Sequence, residues 1–110
     1  MEKKITFRGM DHSQVMEDYI NQQIKKIEKI LEHEREPIYL EIFLDPSKIH
    51  AHHKVHILVK TPRYYLNSDY EGPDFYDVLD RVIDTMYRQI ITKRKELEEK
   101  ERKDTSYHGA

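Results

Sequence analysis

The segment "DFYDVLDRVIDTMYRQIITKRK", residues 74–95, has the apolar spacing of a long amphipathic helix. Its apolar residues recur at intervals of three and four, and the same stripe continues one step beyond the segment: Phe75, Leu79, Val82, Ile83, Met86, Ile90 and Leu97. Gly72 and Pro73 interrupt the chain just before it, and Asp74 is a suitable N-cap. This segment therefore predicts a helix whose apolar stripe must be buried against another layer.

The charges of this segment are also ordered, with aspartates in its first half and bases in its second half. Such charges complement the helix macrodipole, and each contributes roughly 0.3–1 kcal/mol. The dipole does not explain Arg81 and Arg88, which lie in mid-helix. At 100° per residue a seven-residue spacing drifts by only about 20° per step. The resulting ridge lies almost opposite the apolar stripe: Arg81, Arg88, Lys95 and Arg102. Solubility alone and a binding role both remain open as explanations.

The composition favours one thin domain without disulfides or membrane spans. The 110 residues are 37% hydrophobic and 36% charged, which is enough for two packed layers rather than three. The absence of cysteine excludes disulfides, thiolate metal ligands and cysteine nucleophiles. No apolar run approaches the roughly 20 residues that span a bilayer, and "MEKKITFRG" has no signal-peptide core. We therefore expect a cytosolic protein.

The first half of the chain predicts a strand and a helix. Residues 4–8 alternate as a short strand, and Ser13 is a suitable N-cap for a helix running to about residue 33. Pro37 disfavours helix just after it. The apolar stripe of this helix comprises Met16, Tyr19, Ile20, Ile24, Ile27, Ile30 and Leu31. Its bases Lys25, Lys26 and Lys29 lie on the side away from that stripe.

Three further strands are expected between the two helices, at residues 38–45, 53–61 and 64–71. The first two alternate clearly, and in the third Leu66, Ser68 and Tyr70 are the expected core side. The order β-α-β-β-β-α predicts an α+β two-layer sandwich, with two helices packed on one face of a four-stranded sheet. We expect residues 1–97 to form this single domain and residues 98–110 to fray as a charged tail.

Two other groups of residues could form a metal site or a catalytic site, and both have a simpler explanation. His50, His52, His53 and His56 lie close together in "HAHHKVH", which keeps a metal site open as an alternative to a solvated strand end. Asp77, Asp80 and Asp84 share one helix flank, as solvated helix carboxylates commonly do. The chain has no G-x-S-x-G, no H-E-x-x-H and no glycine-rich phosphate loop. We expect no catalysis, no metal and no cofactor.

The element order and the last helix resemble the short ribosome hibernation-promoting factors, the family that includes the bacterial ribosome-associated inhibitor. The resemblance covers residues 4 to about 97 and is strongest in "EGPDFYDVLDRVIDTMYRQI". The residues that match the family pattern there are Glu71, Gly72, Asp74, Phe75, Tyr76, Asp80, Arg88, Gln89 and Ile90. "ITFRGMDHSQVMEDYI" is similar to the first strand, turn, capping hydroxyl and helix of the family.

This resemblance implies a fold similar to double-stranded-RNA-binding domains and a function without catalysis. Family members silence ribosomes under stress or in stationary phase by binding the small ribosomal subunit, at the channel for messenger and transfer RNA. The implied partner is therefore the small subunit and its ribosomal RNA, with no membrane, no small-molecule substrate and a monomeric protein. The implied RNA-binding residues are Lys25, Lys26, Lys29, Arg88, Arg94 and Lys95.

The chain also departs from that family pattern. Thr85, Thr92, Glu17 and Gln23 occupy positions that are commonly basic in the family. These losses leave open a weaker contact, a displaced contact or a divergent role. A binding module for another RNA or for a protein, built on the same fold, is accordingly the main alternative function.

Overall fold

The computed structural model describes residues 1–46 and 51–108, with side chains described as far as residue 102. The chain forms β1 (Glu2–Phe7), α1 (Gln14–Gln23), α2 (Lys25–Leu31), β2 (Tyr39–Pro46), β3 (His53–Lys60), β4 (Tyr65–Gly72) and α3 (Phe75–His108). The strands form one sheet in the order β1-β2-β3-β4. β1 is parallel to β2, and the other two pairs are antiparallel. The predicted α+β class is confirmed, and the element order agrees with β-α-β-β-β-α apart from the division of the first helix.

Alternation along the central strands produces a sheet with one apolar face. Ile42 pairs with Ile57 and Leu40 with Val59, so the apolar residues of β2 and β3 lie side by side on the face that the helices cover. Val55 completes the row, and all five side chains are buried. The helices contribute the other half of the same core cluster. The opposite face of the sheet remains open.

The sequence predicts one continuous first helix. This prediction is wrong in detail, because the structure divides the helix at Ile24 into α1 and α2. The expected cap is present, since the Ser13 hydroxyl accepts a hydrogen bond from the Met16 amide at 3.3 Å. The Ile24 amide still donates to the Ile20 carbonyl at 2.8 Å. Ile20, Ile24 and Ile27 are all fully buried, so the apolar stripe continues across the division.

The expected burial of β4 is confirmed in part. Ser68 is buried, and its hydroxyl donates to the Val82 carbonyl of α3 at 3.0 Å. Tyr70 is 42% exposed, so its assignment to the core is wrong. β4 is an edge strand, and Tyr70 is covered mainly by the Arg81 guanidinium, which lies 5.3 Å from the centre of its ring. Because β4 is at the edge of the sheet, a side chain such as Tyr70 stays partly open to solvent even though it points towards the helix layer.

Helix α3 is longer than the sequence predicts. It continues to His108, so the frayed end expected from about residue 98 is wrong over the described part of that segment. Its 34 residues give about 51 Å of helix, whereas an eight-residue strand spans only about 26 Å. Among the side chains described, which end at residue 102, Leu97 is the last one of α3 that packs on the core. The end of α3 therefore projects beyond the sheet, and whether it is a functionally separate tail stays a prediction.

The apolar stripe of α3 agrees with the sequence pattern and includes one more residue, Val78, which is fully buried. Across the described residues, no helix combines the length and the apolar character that crossing a bilayer requires.

We expect Ile83→Ala to lower the free energy of unfolding by about 2–5 kcal/mol, because it leaves a cavity where α3 packs on the sheet. Ile91→Ala is the matched control: it removes the same atoms from the same helix at a position that is 39% exposed, and should cost less than about 1 kcal/mol. Urea denaturation of both variants measures the difference. Equal losses would contradict the packing of the stripe.

Candidate nucleic-acid interface

Helices α2 and α3 lie side by side on the face of the molecule away from the sheet. Lys26 of α2 forms an ion pair with Asp84 of α3. The Lys26 ammonium also lies 5.3 Å from the centre of the Tyr87 ring, within range of a cation–π contact. These contacts place the exposed bases of the two helices on one continuous surface.

A groove of about 310 Å³ runs between the two helices. Its lining includes three basic side chains together with His33 and Tyr87: Lys26, Lys29 and Arg94. Two of these bases face acids, since Lys26 forms an ion pair with Asp84 and the Arg94 Nε lies 3.8 Å from a carboxylate oxygen of Glu34. The groove therefore has the cationic lining that suits a phosphate group.

Four of the six bases predicted to bind RNA carry charges that the molecule does not neutralise. Lys25, Lys29, Arg88 and Lys95 are exposed and form no hydrogen bond or ion pair with any other described residue. Two turns of helix separate Arg88 from Lys95, a distance of roughly 10 Å along the axis. Lys26 differs, because its exposed ion pair with Asp84 screens it in part.

The sixth predicted base, Arg94, is tied into the protein. Its side chain is only 18% exposed, and its guanidinium donates to the Ile30 carbonyl at the end of α2. Its Nε lies 3.8 Å from a carboxylate oxygen of Glu34. Arg94 therefore joins α3 to the end of α2, and its contact with a phosphate stays a prediction.

Glu34 is the centre of this connection, and the sequence analysis did not identify it. Its side chain is 2% exposed, and both carboxylate oxygens accept hydrogen bonds from Arg63 at 2.6–3.3 Å. The hydrogen bond to Glu34 is the main cause that raises the pKa of Arg63. One signal was available, since Glu34 follows Ile27 and Leu31 by seven and three residues and so continues their apolar stripe.

The model of the family described as "Sigma 54 modulation protein / S30EA ribosomal protein" matches residues 4–98. The chain belongs to this family. Comparison with curated protein sequences finds no match.

Two solved structures show that the S30EA family fold is shared. The chain is similar to the N-terminal domain of Protein Y from Thermus thermophilus, with a TM-score of 0.67 and 19% identity over 86% of this chain and 98% of that one. It is also similar to a ribosomal subunit interface protein from Coxiella burnetii, with a TM-score of 0.69 and 18% identity over 86% and 99% of the two chains. At these identities the similarity establishes the fold alone.

The histidine cluster gains no geometric support in this S30EA-family protein. His56 lies 2.7 Å from the Asn67 side-chain oxygen and packs against the Phe43 ring, whereas His53 packs against Phe75. Within residues 1–46 and 51–102, no three His, Asp or Glu side chains are placed to hold a metal ion. His50 lies outside the described residues.

The three aspartates on the flank of α3 are engaged separately. Asp77 forms an ion pair with Arg81 at 3.0 Å, and Asp84 with Lys26. Asp80 accepts a hydrogen bond from the Tyr19 hydroxyl at 3.0 Å. Burial first, and then this hydrogen bond, raises the pKa of Tyr19. The contacts of Asp80 and Asp84 hold α1 and α2 to α3, whereas the Asp77 ion pair lies within α3.

The positions that depart from the family pattern lie in two different environments. Thr85 and Thr92 line a second groove, on the flank of α3 that faces β4. Glu17 lies at the start of α1, with a carboxylate oxygen 3.0 Å from the His12 ring nitrogen. Gln23 is the last residue of α1. The loss of bases on α3 is therefore concentrated on its β4 side, away from the groove between the helices.

The buried cluster predicts a specific alkaline response. The Tyr64 hydroxyl is buried and has no hydrogen-bond partner of ordinary geometry among the described residues. Burial, and then the negative charge of Glu34, raises the pKa of Tyr64 from 10.0 to about 12. Above pH 10 the unfolded chain loses this proton while the folded chain keeps it. The contribution of the protonated Tyr64 to the free energy of unfolding is therefore fully present below pH 10. At most about 2–3 kcal/mol of that free energy is lost as the pH rises to 12.

Tyr64→Phe should remove this part of the loss of stability at alkaline pH. At pH 8 it should be neutral or stabilising by up to about 1 kcal/mol, because a buried hydroxyl without a partner disappears. Tyr65→Phe, at the exposed neighbouring position, is the control and should keep the loss. Urea denaturation at pH 8 and pH 11 measures both. An unchanged pH response in Tyr64→Phe would refute the assignment.

Proposed function

We propose that this protein binds the small ribosomal subunit and silences translation under stress or in stationary phase. It meets ribosomal RNA at the messenger and transfer RNA channel, acts in the cytoplasm as a monomer, and performs no catalysis. The observation that carries the proposal is the set of exposed, unneutralised cations on α2 and α3 of an S30EA-family chain. The ribosomal names of the family and of one structural neighbour support the same partner.

The proposed contact uses the bases of the two helices in two ways. Lys25, Lys29, Arg88 and Lys95 meet RNA phosphates directly, because none of them forms an ion pair with another described residue. Lys26 joins them when phosphate replaces Asp84 as its partner. Arg94 mainly holds α2 and α3 at a fixed separation, and its guanidinium edge lines the groove between them. The contact is driven by phosphate charge and by the shape of the fold.

A binding module for a different RNA or for a protein is the competing function. Thr85 and Thr92, where bases are expected, are the observation in its favour. A sucrose gradient of a stationary-phase lysate separates the two functions. Co-migration of the protein with small subunits or whole ribosomes supports silencing, and its absence from every ribosomal fraction supports the competing function.

Replacing Arg88 and Lys95 together by Ala should reduce pelleting with ribosomes at least tenfold without changing the melting curve. Both side chains are exposed and form no hydrogen bond or ion pair with another described residue, so their removal should change stability little. The double variant Lys4→Ala with Lys54→Ala is the matched control, since it removes the same charge from the open face of the sheet, on the other side of the molecule from the helices. If the control pair and the Arg88/Lys95 pair pellet alike, the charges of α3 are not the contact.

Affinity for ribosomes should also depend strongly on salt. If about five phosphates are contacted, counterion release lowers affinity by two to three decades between 50 and 200 mM salt. Quantitative pelleting across that range measures the slope. The Arg88/Lys95 double variant should show a shallower slope than the parent, and a flat response of the parent would exclude phosphate contact.

A further inference from the structure

A second groove lies on the other flank of α3, between that helix and the free edge of the sheet. It consists of two cavities of about 380 and 210 Å³ that share Thr85 and Gln89. Leu66 and Thr92 line the larger cavity, and Ser68 lines the smaller one. The groove is thus a continuous channel along β4, distinct from the cationic groove between α2 and α3.

The wall formed by β4 presents unused backbone groups. Within the described residues β4 pairs only with β3, and it is the last strand of the sheet. In an antiparallel edge strand, every second residue turns its amide and carbonyl outward. Apart from strand pairing, the described backbone hydrogen bonds include none made by these edge residues. β4 can therefore accept one more strand.

The charges around the groove differ between its two sides. On the helix side, Arg88 has no ion-pair partner among the described side chains, and Lys93 forms a loose ion pair with Glu96 at 3.7 Å. On the open face of the sheet, β4 carries the exposed acids Asp69 and Glu71. An added strand would therefore meet cations on its groove side and carboxylates on its outer side.

These charges decide between possible occupants. A second copy pairing through its own β4 would bring Asp69 and Glu71 of both chains together, and like charges at an edge oppose such pairing. A nucleic acid strand would meet Glu96 in the groove and Asp69 beside it, on the open face of β4, and both carboxylates repel phosphate. An extended peptide has backbone groups for β4 and can match both sides with alternate side chains.

We propose that this groove binds an extended segment of a partner protein, which adds to β4 as a fifth strand. Its groove-facing side chains are apolar near Leu66 and Thr92 and acidic near Arg88, and its outward side chains opposite Asp69 are basic. This site adjoins the proposed ribosomal RNA contact and shares Arg88 with it. Lys25, Lys29 and Lys95 lie outside the groove, so these three bases stay available to RNA while a peptide occupies it.

The test is a selection from a displayed library of random linear eight-residue peptides, on the folded full chain. Thr85→Tyr serves as the counter-selection, because a ring at this exposed position fills the channel that both cavities share. Peptides enriched on the parent should alternate acidic or apolar with basic residues and should slow amide exchange in β4. No enrichment over Thr85→Tyr, or protection elsewhere in the molecule, would overturn the proposal.

A pair of variants separates this site from the ribosome contact. Thr85→Tyr should weaken a selected peptide at least tenfold and leave ribosome pelleting unchanged. Lys95→Ala, outside the groove, should leave peptide binding unchanged and reduce pelleting. Two adjacent central prolines in the peptide should abolish binding, because one of the two positions must supply an N–H that bonds to β4. Equal binding of the proline peptide or of Thr85→Tyr would exclude strand addition.

Discussion

The structure depends on covering one apolar face of a four-stranded sheet. β2 and β3 place Leu40, Ile42, Val55, Ile57 and Val59 on the same side, and a sheet face of this kind is unstable in water unless helices cover it. Each helix has a single apolar stripe, which is used entirely in this covering. The charged residues of the helices then lie mostly on the far side, and Arg94, on the flank of the α3 stripe and only 18% exposed, is an exception. The exposed basic surface is therefore a direct consequence of the core.

The cluster around Glu34 determines how that surface is arranged. A carboxylate that is almost fully removed from water is tolerated only with paired cations, and Arg63 and Arg94 approach it from two different elements. Arg63 belongs to the turn between β3 and β4, and Arg94 to α3. Glu34 follows α2, so one buried charge connects the end of that helix to both layers. The separation of Lys29 from the bases of α3 follows from this connection.

Helical and strand periodicity predicted most of the fold, because the core depends on local spacing alone. Ile83 and Ile57 are buried as their patterns require. The errors have other physical causes. The division at Ile24 leaves the apolar stripe unbroken, so the spacing of apolar residues does not reveal it. Tyr70 is exposed because β4 is an edge strand. The length of α3 was missed because only apolar residues were counted, although Glu96–Lys100 and Glu98–Arg102 have the spacing that supports a solvated helix.

The helical period predicts which side of the helix each base of the candidate site occupies, but it does not predict the base's partners. The period places Arg88 and Lys95 on the exposed ridge, which is a local property. It also places Arg94 on the flank of the stripe, but its partner is sixty residues earlier in the chain, and only the tertiary fold brings them together. A basic residue on such a flank can serve either a ligand or the protein itself. The deciding factor is whether a buried acid lies within reach.

Helix α3 consequently presents two different surfaces on its two flanks. Towards α2 it faces Lys26, Lys29 and a cationic groove, and towards β4 it faces a groove lined by Thr85 and Thr92. Bases at those two threonines would extend the cationic surface across the whole helix, but they would also fill the channel beside the open edge of β4. Uncharged, short side chains keep that channel open at the expense of phosphate contacts. The ridge of Arg88 and Lys95 is the boundary between the two surfaces, so the same helix can contact RNA on one side and protein backbone on the other.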